Sequence, residues 1–178
     1  TGKVRWRRAG PEAKPSSPTL ANDLVIVTAK NGVVDAFDRS TGRTVWELRI
    51  GSNVESSPVA LDGLVYFGAN DGRLFAVESA TGKARWAYDT GGRINASPSI
   101  SGNRVCIPNY SGSIFCVDRI DGHRLWRTVV KRDAFRYESF YASASTDGER
   151  LYTLARSGKV VALSLASGAV DWTARVGG

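Results

Sequence analysis

The chain has 178 residues and a net charge of +7, carried mostly by arginine, with 19 glycines and no methionine. That length suits one ordinary domain with a sizeable core, and no apolar stretch reaches the roughly 18 residues that a membrane-spanning helix needs. The charge is spread along the chain (residues 1–50 carry +4, 51–100 carry −1, 101–150 carry +2 and 151–178 carry +2), and the tryptophans are committed to a repeat, which points away from a nucleic-acid reader.

In chain order, the first segment is Thr1-Gly2 to Trp6, set among Lys3, Arg5, Arg7 and Arg8. It opens inside a repeat phrase with neither initiator methionine nor signal peptide. We read the chain as a piece of a longer polypeptide whose targeting signal lies elsewhere. Four longer units follow, aligned on the turn glycines Gly32, Gly72, Gly112 and Gly158. Each starts with a short strand of small residues: Ser16-Ser17-Pro18-Thr19-Leu20, Ser56 to Ala60, Ala96 to Ile100 and Ala142 to Ser145. Small side chains suit strands crowding a central axis, and the proline needs a position whose N–H has no ladder partner. A turn leads to the most apolar strand, as in Leu24-Val25-Ile26-Val27 and Leu64-Val65-Tyr66-Phe67, read as buried on both faces. A hairpin with glycine after Asn, Asp or Ser leads to the third strand, such as Leu74-Phe75-Ala76-Val77. The fourth strand carries tryptophan, as in Thr44-Val45-Trp46-Glu47-Leu48.

Trp6, Trp46, Trp86, Trp126 and Trp172 stand 40, 40, 40 and 46 residues apart. A fixed period near 40 with four antiparallel strands per unit predicts the blades of a β-propeller, and the frequent glycine turns leave no room for helix pairs. A lone blade has apolar surface on both faces, so blades must stack.

The run Ala36-Phe37-Asp38-Arg39-Ser40-Thr41-Gly42-Arg43-Thr44-Val45-Trp46 resembles the tryptophan-docking motif Ala-x-Asp-x-x-Thr-Gly-x-x-x-Trp of the quinoprotein, or PQQ-like, β-propeller family. Near or looser copies close on Gly82 and Trp86, Gly122 and Trp126, and Gly168 and Trp172. The resemblance implies an all-β propeller of four PQQ-like four-stranded blades at about 15–50, 55–90, 95–130 and 141–176. Residues 1–10 would be the outer strand of a preceding blade. It also implies that the indoles are structural plates, each flat between blades with its N–H hydrogen-bonded. One branch of the family comprises dehydrogenases holding pyrroloquinoline quinone and Ca²⁺; their adjacent cysteine pair is missing here, and no calcium-ligand spacing is found. The other branch is non-enzymatic and includes the periplasmic lipoprotein of the outer-membrane assembly machine and extracytoplasmic sensor domains. The chain looks more like that branch. The expectation is therefore a non-catalytic scaffold or recognition module, periplasmic, cell-surface or extracellular, with no cofactor, no metal, no nucleic acid and a protein partner. A dehydrogenase fragment and the ligand-sensing ectodomain of a receptor or kinase are the alternatives.

Five tryptophan strands against four complete units favour part of a seven- or eight-bladed ring over four-bladed closure. Its bare end faces would pair with the rest of the ring or with a second half-ring in a homodimer.

The funnel face of such a propeller gathers fourth-to-first-strand loops and second–third hairpins. Its varying positions are Pro15, Glu55, Asn95 and Tyr141 at the inner rim, with Lys30/Asn31, Asn70/Asp71, Tyr110/Ser111 and Arg156/Ser157 at the tips. Loop tips also vary when nothing restrains them. The span from Trp126 to Tyr141 is six residues longer than that from Trp86 to Asn95. The extra residues fall within Val130 to Phe140, a basic and aromatic stretch with Arg132, Arg136 and Tyr137 as candidate contacts. The other reading has Phe135, Tyr137 and Phe140 fold back over the blade. The candidate binding face is thus Glu55, Asn95, Tyr110, Arg132, Arg136, Tyr137, Tyr141 and Arg156.

Cys106 and Cys116 lie on the two strands of one hairpin. A G1-bulge turn at Gly112 would set them face to face for a disulfide, and a two-residue loop would put them on opposite faces. His123 reads as an exposed turn residue. Asp35, where the other units have Phe75, Phe115 and Val161, would line a polar channel or sit at a solvent edge.

Overall fold

A computed structural model of the chain describes residues 2–8 and 16–176. Among these residues there are sixteen strands and no helix. The strands form four antiparallel four-stranded sheets, each pairing strands in sequence order. Sheet one holds β1 (Thr19–Ala21), β2 (Leu24–Thr28), β3 (Val33–Asp38) and β4 (Thr44–Arg49). Sheet two holds β5 (Val59–Leu61), β6 (Leu64–Gly68), β7 (Arg73–Glu78) and β8 (Ala84–Asp89). Sheet three holds β9 (Ser99–Ser101), β10 (Arg104–Pro108), β11 (Ser113–Asp118) and β12 (Arg124–Val129). Sheet four holds β13 (Ser145–Thr146), β14 (Arg150–Leu154), β15 (Lys159–Ser164) and β16 (Val170–Arg175). The all-β propeller architecture follows, with one sheet per repeat.

The innermost strands begin after the prolines rather than at the serines before them. Those serines bond between sheets instead of within one. The Ser17 N–H donates to Ser57 Oγ (3.2 Å), Ser57 N–H to Ser97 Oγ (2.9 Å), and Ser97 N–H to Ser143 Oγ (2.9 Å). Proline, which has no N–H to give, follows this contact in the first three units.

The core is divided among the joints between sheets. One cluster joins Ile26, Val34 and Ala36 of sheet one to Val65, Phe67 and Phe75 of sheet two. A second joins Tyr66, Leu74 and Ala76 to Val105, Ile107 and Val117. A third joins Cys106, Ile114 and Trp126 to Leu151, Val161 and Leu163. The second strands of the middle sheets, β6 and β10, are buried at every position but the first. Those of the end sheets, β2 and β14, are buried only at alternate positions. The expectation of strands buried on both faces therefore applies to the middle sheets, because an end sheet lacks a neighbour on one side.

Every outer strand carries the same irregularity. Pairing of β7 with β8 runs Ala76 opposite Trp86, then Val77 opposite Ala84, and sheets one, three and four skip a residue at the same point. Such a bulge increases local twist, and here the indole beyond it lies across the next sheet. Trp46 Nε1 donates to Ser79 O (2.8 Å), Trp86 to Arg119 O (3.1 Å) and Trp126 to Leu165 O (3.0 Å). Trp6 does the same on Arg39 O (2.9 Å), although residues 2–8 form no strand of their own. The landing site is a glycine: a Cβ on Gly82 would stand 2.7 Å from Trp46 Cε3, and its φ of +71° also favours glycine. In the matching turn of sheet one, where Trp6 lands on Gly42, an aspartate builds the turn. Asp38 Oδ1 accepts from the Ser40 and Thr41 amides and hydroxyls, which hold its carboxyl down at about 2. Trp172 departs from the expected placement between sheets: it is 45 % exposed, because among the described residues no fifth sheet stands beyond it.

Candidate functional site

The connections between sheets and the second–third hairpins meet on one face. Their backbones are tied: the Asn70 N–H donates to Asn53 O, Tyr110 to Arg93 O and Arg156 to Ser139 O, each at 2.8 Å. Glu55, Asn95 and Tyr141 are therefore equivalent positions of successive units, while Pro15 lies outside the described residues.

Half of this face is an ionic bridge across units. Glu55 takes Lys30 Nζ at 3.3 Å from one side and Arg93 Nη2 at 3.1 Å from the other. Asn95 Nδ2 donates to its second oxygen at 2.7 Å. Partial burial pushes the Glu55 carboxyl up, but the hydrogen bonds led by Asn95, with Lys30, outweigh it and leave the group below its ordinary range. Turned so that both its atoms are satisfied, the Asn70 amide donates to Ile94 O (2.9 Å) and accepts from Arg93 Nη2 (3.1 Å).

The other half is aromatic and cationic. The rings of Tyr110 and Tyr141 meet edge to face at 5.0 Å. The Arg156 guanidinium lies 5.9 Å from the Tyr141 centroid and reaches the Tyr110 hydroxyl at 3.5 Å. The Tyr141 hydroxyl, then the charges of Arg156 and Arg93, draw the Tyr110 phenol below its usual range.

The six-residue insertion, 131–136, projects between Val130 and Tyr137 as a hairpin closed by the Lys131–Tyr137 bridge. Asp133 makes its tip, accepting from the Phe135 and Arg136 amides and pairing with Arg136 Nη2 at 2.6 Å. The two readings of this stretch divide between its residues. Phe140 is fully buried against the blade, whereas Phe135 is 95 % and Tyr137 57 % exposed. Beneath the hairpin, Glu138 is buried, paired with Lys159 Nζ at 3.3 Å and accepting from Ser157 Oγ at 2.8 Å. The Lys159 ammonium also donates to Lys131 O (2.8 Å), tying the insertion to sheet four. Reading the sequence alone misses Glu138, Lys159 and Arg93: Glu138 looks like one more solvated loop charge until the tie of Arg156 to Ser139 places it beneath the hairpin. A cleft of about 310 Å³ opens between insertion and blade, lined by Arg132, Tyr137, Glu138, Ser139, Arg156 and Ser157. Of the eight candidate residues, Glu55 and Asn95 meet in the bridge; Tyr110, Tyr141 and Arg156 meet in the aromatic cluster; Arg132 and Tyr137 join Arg156 in the cleft. Arg136 is occupied by Asp133.

Elsewhere, Cys106 and Cys116 are directly opposite in the ladder and disulfide-bonded, so the Gly112 turn (φ +81°) is the one that sets them face to face. Asp35 is buried on the side of sheet one turned towards residues 2–8. Desolvation, with Glu47 beside it, raises its carboxyl above the ordinary range. Asp118, Asp121 and His123 bring three ligand-type atoms within 4.8 Å of one another, but they are spent on the turn. Asp118 caps the Ile120 amide (2.8 Å), and His123 Nδ1 contacts Asp121 at 2.6 Å.

Among solved structures, the chain is similar to BamB from Moraxella catarrhalis (TM-score 0.75, 24 % identity), covering 90 % of this chain and 48 % of that one. It is similar also to the quinohemoprotein alcohol dehydrogenase of Comamonas testosteroni (0.79, 20 %), covering 92 % and 36 %. The computationally designed Ika4 protein matches at 0.78 and 18 %, covering 92 % and 99 %. The chain thus spans about half of the BamB chain and about a third of the dehydrogenase. No curated protein sequence matches. A family model described as outer membrane protein assembly factor BamB matches residues 1–174. Taken with the indoles docked from sheet to sheet, that match means the chain belongs to the PQQ-like repeat family of the assembly factor BamB.

Proposed function

We propose that the chain is a non-catalytic recognition module of a scaffold outside the cytoplasm, binding a protein partner through the face that bears Glu55, Tyr110, Arg132, Tyr137, Tyr141 and Arg156. The observation that carries this reading is the 131–136 hairpin: an insertion on a rigid repeat that leaves Phe135 and Tyr137 bare while Phe140 and Glu138 anchor it. Exposed aromatics beside arginines on an anchored loop are the make-up of binding hot spots. A benzophenone side chain in place of Phe135 should yield a discrete protein adduct on irradiation in cells, and one in place of Ser167, on the opposite face, should not. Equal labelling from both positions, or none from either, would overturn the reading. Arg132→Ala, Arg136→Ala and Tyr137→Ala together should weaken that adduct and leave Tm within about 2 °C.

The dehydrogenase neighbour motivates a second reading. The residues present fit it poorly. The only sulfur pair is buried between sheets three and four, away from the rim. Four carboxylates of the rim are already paired: Glu55 with Lys30 and Arg93, Glu138 with Lys159, Asp71 with Arg73 and Asp133 with Arg136. Saturable thermal stabilisation by pyrroloquinoline quinone with Ca²⁺ would revive it. We also infer that the bare side of sheet four is covered in the working protein, by further blades or by a second copy. Light scattering of this chain as a clean monomer at micromolar concentration would count against the second copy.

A further inference from the structure

Arg132 and Arg156 face the same cleft from opposite walls, one on the inserted hairpin and one on the tip between β14 and β15. Among the described residues neither guanidinium has a carboxylate partner, although four neighbouring rim cations do: Lys30 and Arg93 have Glu55, Arg136 has Asp133, and Lys159 has Glu138. The single carboxylate in the cleft wall, Glu138, is buried and held by Lys159 and Ser157, so it cannot turn to neutralise either arginine. Two positive charges without a carboxylate partner therefore line the opening. Beside them stand a hydroxyl donor, Ser139, and the phenol face of Tyr137, and the Tyr110–Tyr141 pair adjoins the cleft through Arg156, while the Ser157 hydroxyl is spent on Glu138.

Resting on the recognition role above, we propose that this cleft binds an acidic extended segment of the partner protein, with a carboxylate clamped between Arg132 and Arg156 and flanking apolar groups lying on Tyr137 and Tyr141. The chemistry fits at each contact. Guanidinium forks take carboxylates bidentately, and charge-assisted bonds of this kind are roughly twice as strong as neutral ones. Arg156 is already oriented by its stacking on Tyr141 and its contact with Tyr110, so less side-chain freedom is lost on binding. Arg132 is carried on a hairpin that is itself fixed by the Lys131–Tyr137 bridge and by Lys159. Between raised walls the cleft is open to solvent, which suits a chain passing through more than an enclosed small ion.

The test uses the whole chain and a short fluorescein-labelled peptide of alternating glutamate and phenylalanine, read by anisotropy at low salt. Replacing every glutamate by glutamine should weaken binding at least about tenfold. Arg132→Gln with Arg156→Gln should do the same to the acidic peptide while leaving Tm and the glutamine peptide unaffected; Arg132→Lys should restore binding only in part. Inorganic phosphate is the competing probe. If millimolar phosphate displaces the peptide fully, or if the two peptides bind equally, the acidic-segment assignment falls. Adduct formation from position 135 is independent of this outcome, so its survival would retain the recognition face and reject only the class of partner.

Discussion

Trp86 and Trp172 occupy the same place in the same phrase, and their immediate surroundings are built alike. Trp86 meets Tyr66 at 5.9 Å and 45°; Trp172 meets Tyr152 at 6.0 Å and 45°. Their environments still differ sharply. Tyr66 is fully buried with its hydroxyl on Arg119 O of the next sheet, whereas the Tyr152 hydroxyl turns to Asp147 of its own sheet, and Trp172 is 45 % exposed. The repeat sequence sets the geometry of a blade's docking surface, and the neighbour sets whether that geometry contributes stability. Nearest-neighbour terms of this kind are what make repeat arrays quasi-one-dimensional.

The largest expected effect tests that contrast. Trp126→Ala, at the joint between sheets three and four, should cost about 3–5 kcal/mol in urea unfolding, and Trp172→Ala less than about 1 kcal/mol. Equal losses would mean that sheet four is covered in solution. Gly82→Ala should cost about 2–3 kcal/mol, since its methyl group meets the Trp46 ring; Gly63→Ala has a similar φ but nothing within 4 Å, so the backbone cost of about 1 kcal/mol remains alone. Removing the disulfide with Cys106→Ala and Cys116→Ala should lose about 2–3 kcal/mol, seen as a lower urea midpoint. The smallest effect concerns the landing turns. The folded Asp38 carboxyl sits at about 2, below its ordinary 3.8, so its contribution is complete above pH 3.8 and is lost as pH falls towards 2. Asp38→Asn should flatten the fall of Tm across that window; an unchanged slope would remove the turn from the account of docking.

The architecture was legible because its signals are periodic. Tryptophan spacing and the glycine phrases carry the strand order and the glycines on which the indoles land, and both follow from local chemistry. The face was legible as a set of positions but not as contacts. The bridge from Lys30 through Glu55 to Arg93 joins three units, and nothing in the neighbouring sequence couples residues 25 and 38 apart. The cysteine pairing turned on one hairpin's loop type, which glycine alone does not specify. Glu138 was hidden for a different reason: its burial depends on Lys159, which arrives from a later strand.

The serine contacts around the inner edge have a consequence for how this molecule can change. Their partners are 40, 40 and then 46 residues apart, yet the bond after the longer interval is the same 2.9 Å as the one before it. The added length is looped out wholly on the periphery and leaves the hub's pitch unaltered. Residues 131–136 therefore behave as an exchangeable cassette: their length and wording can drift, or be rewritten by design, without retuning the arc that displays them.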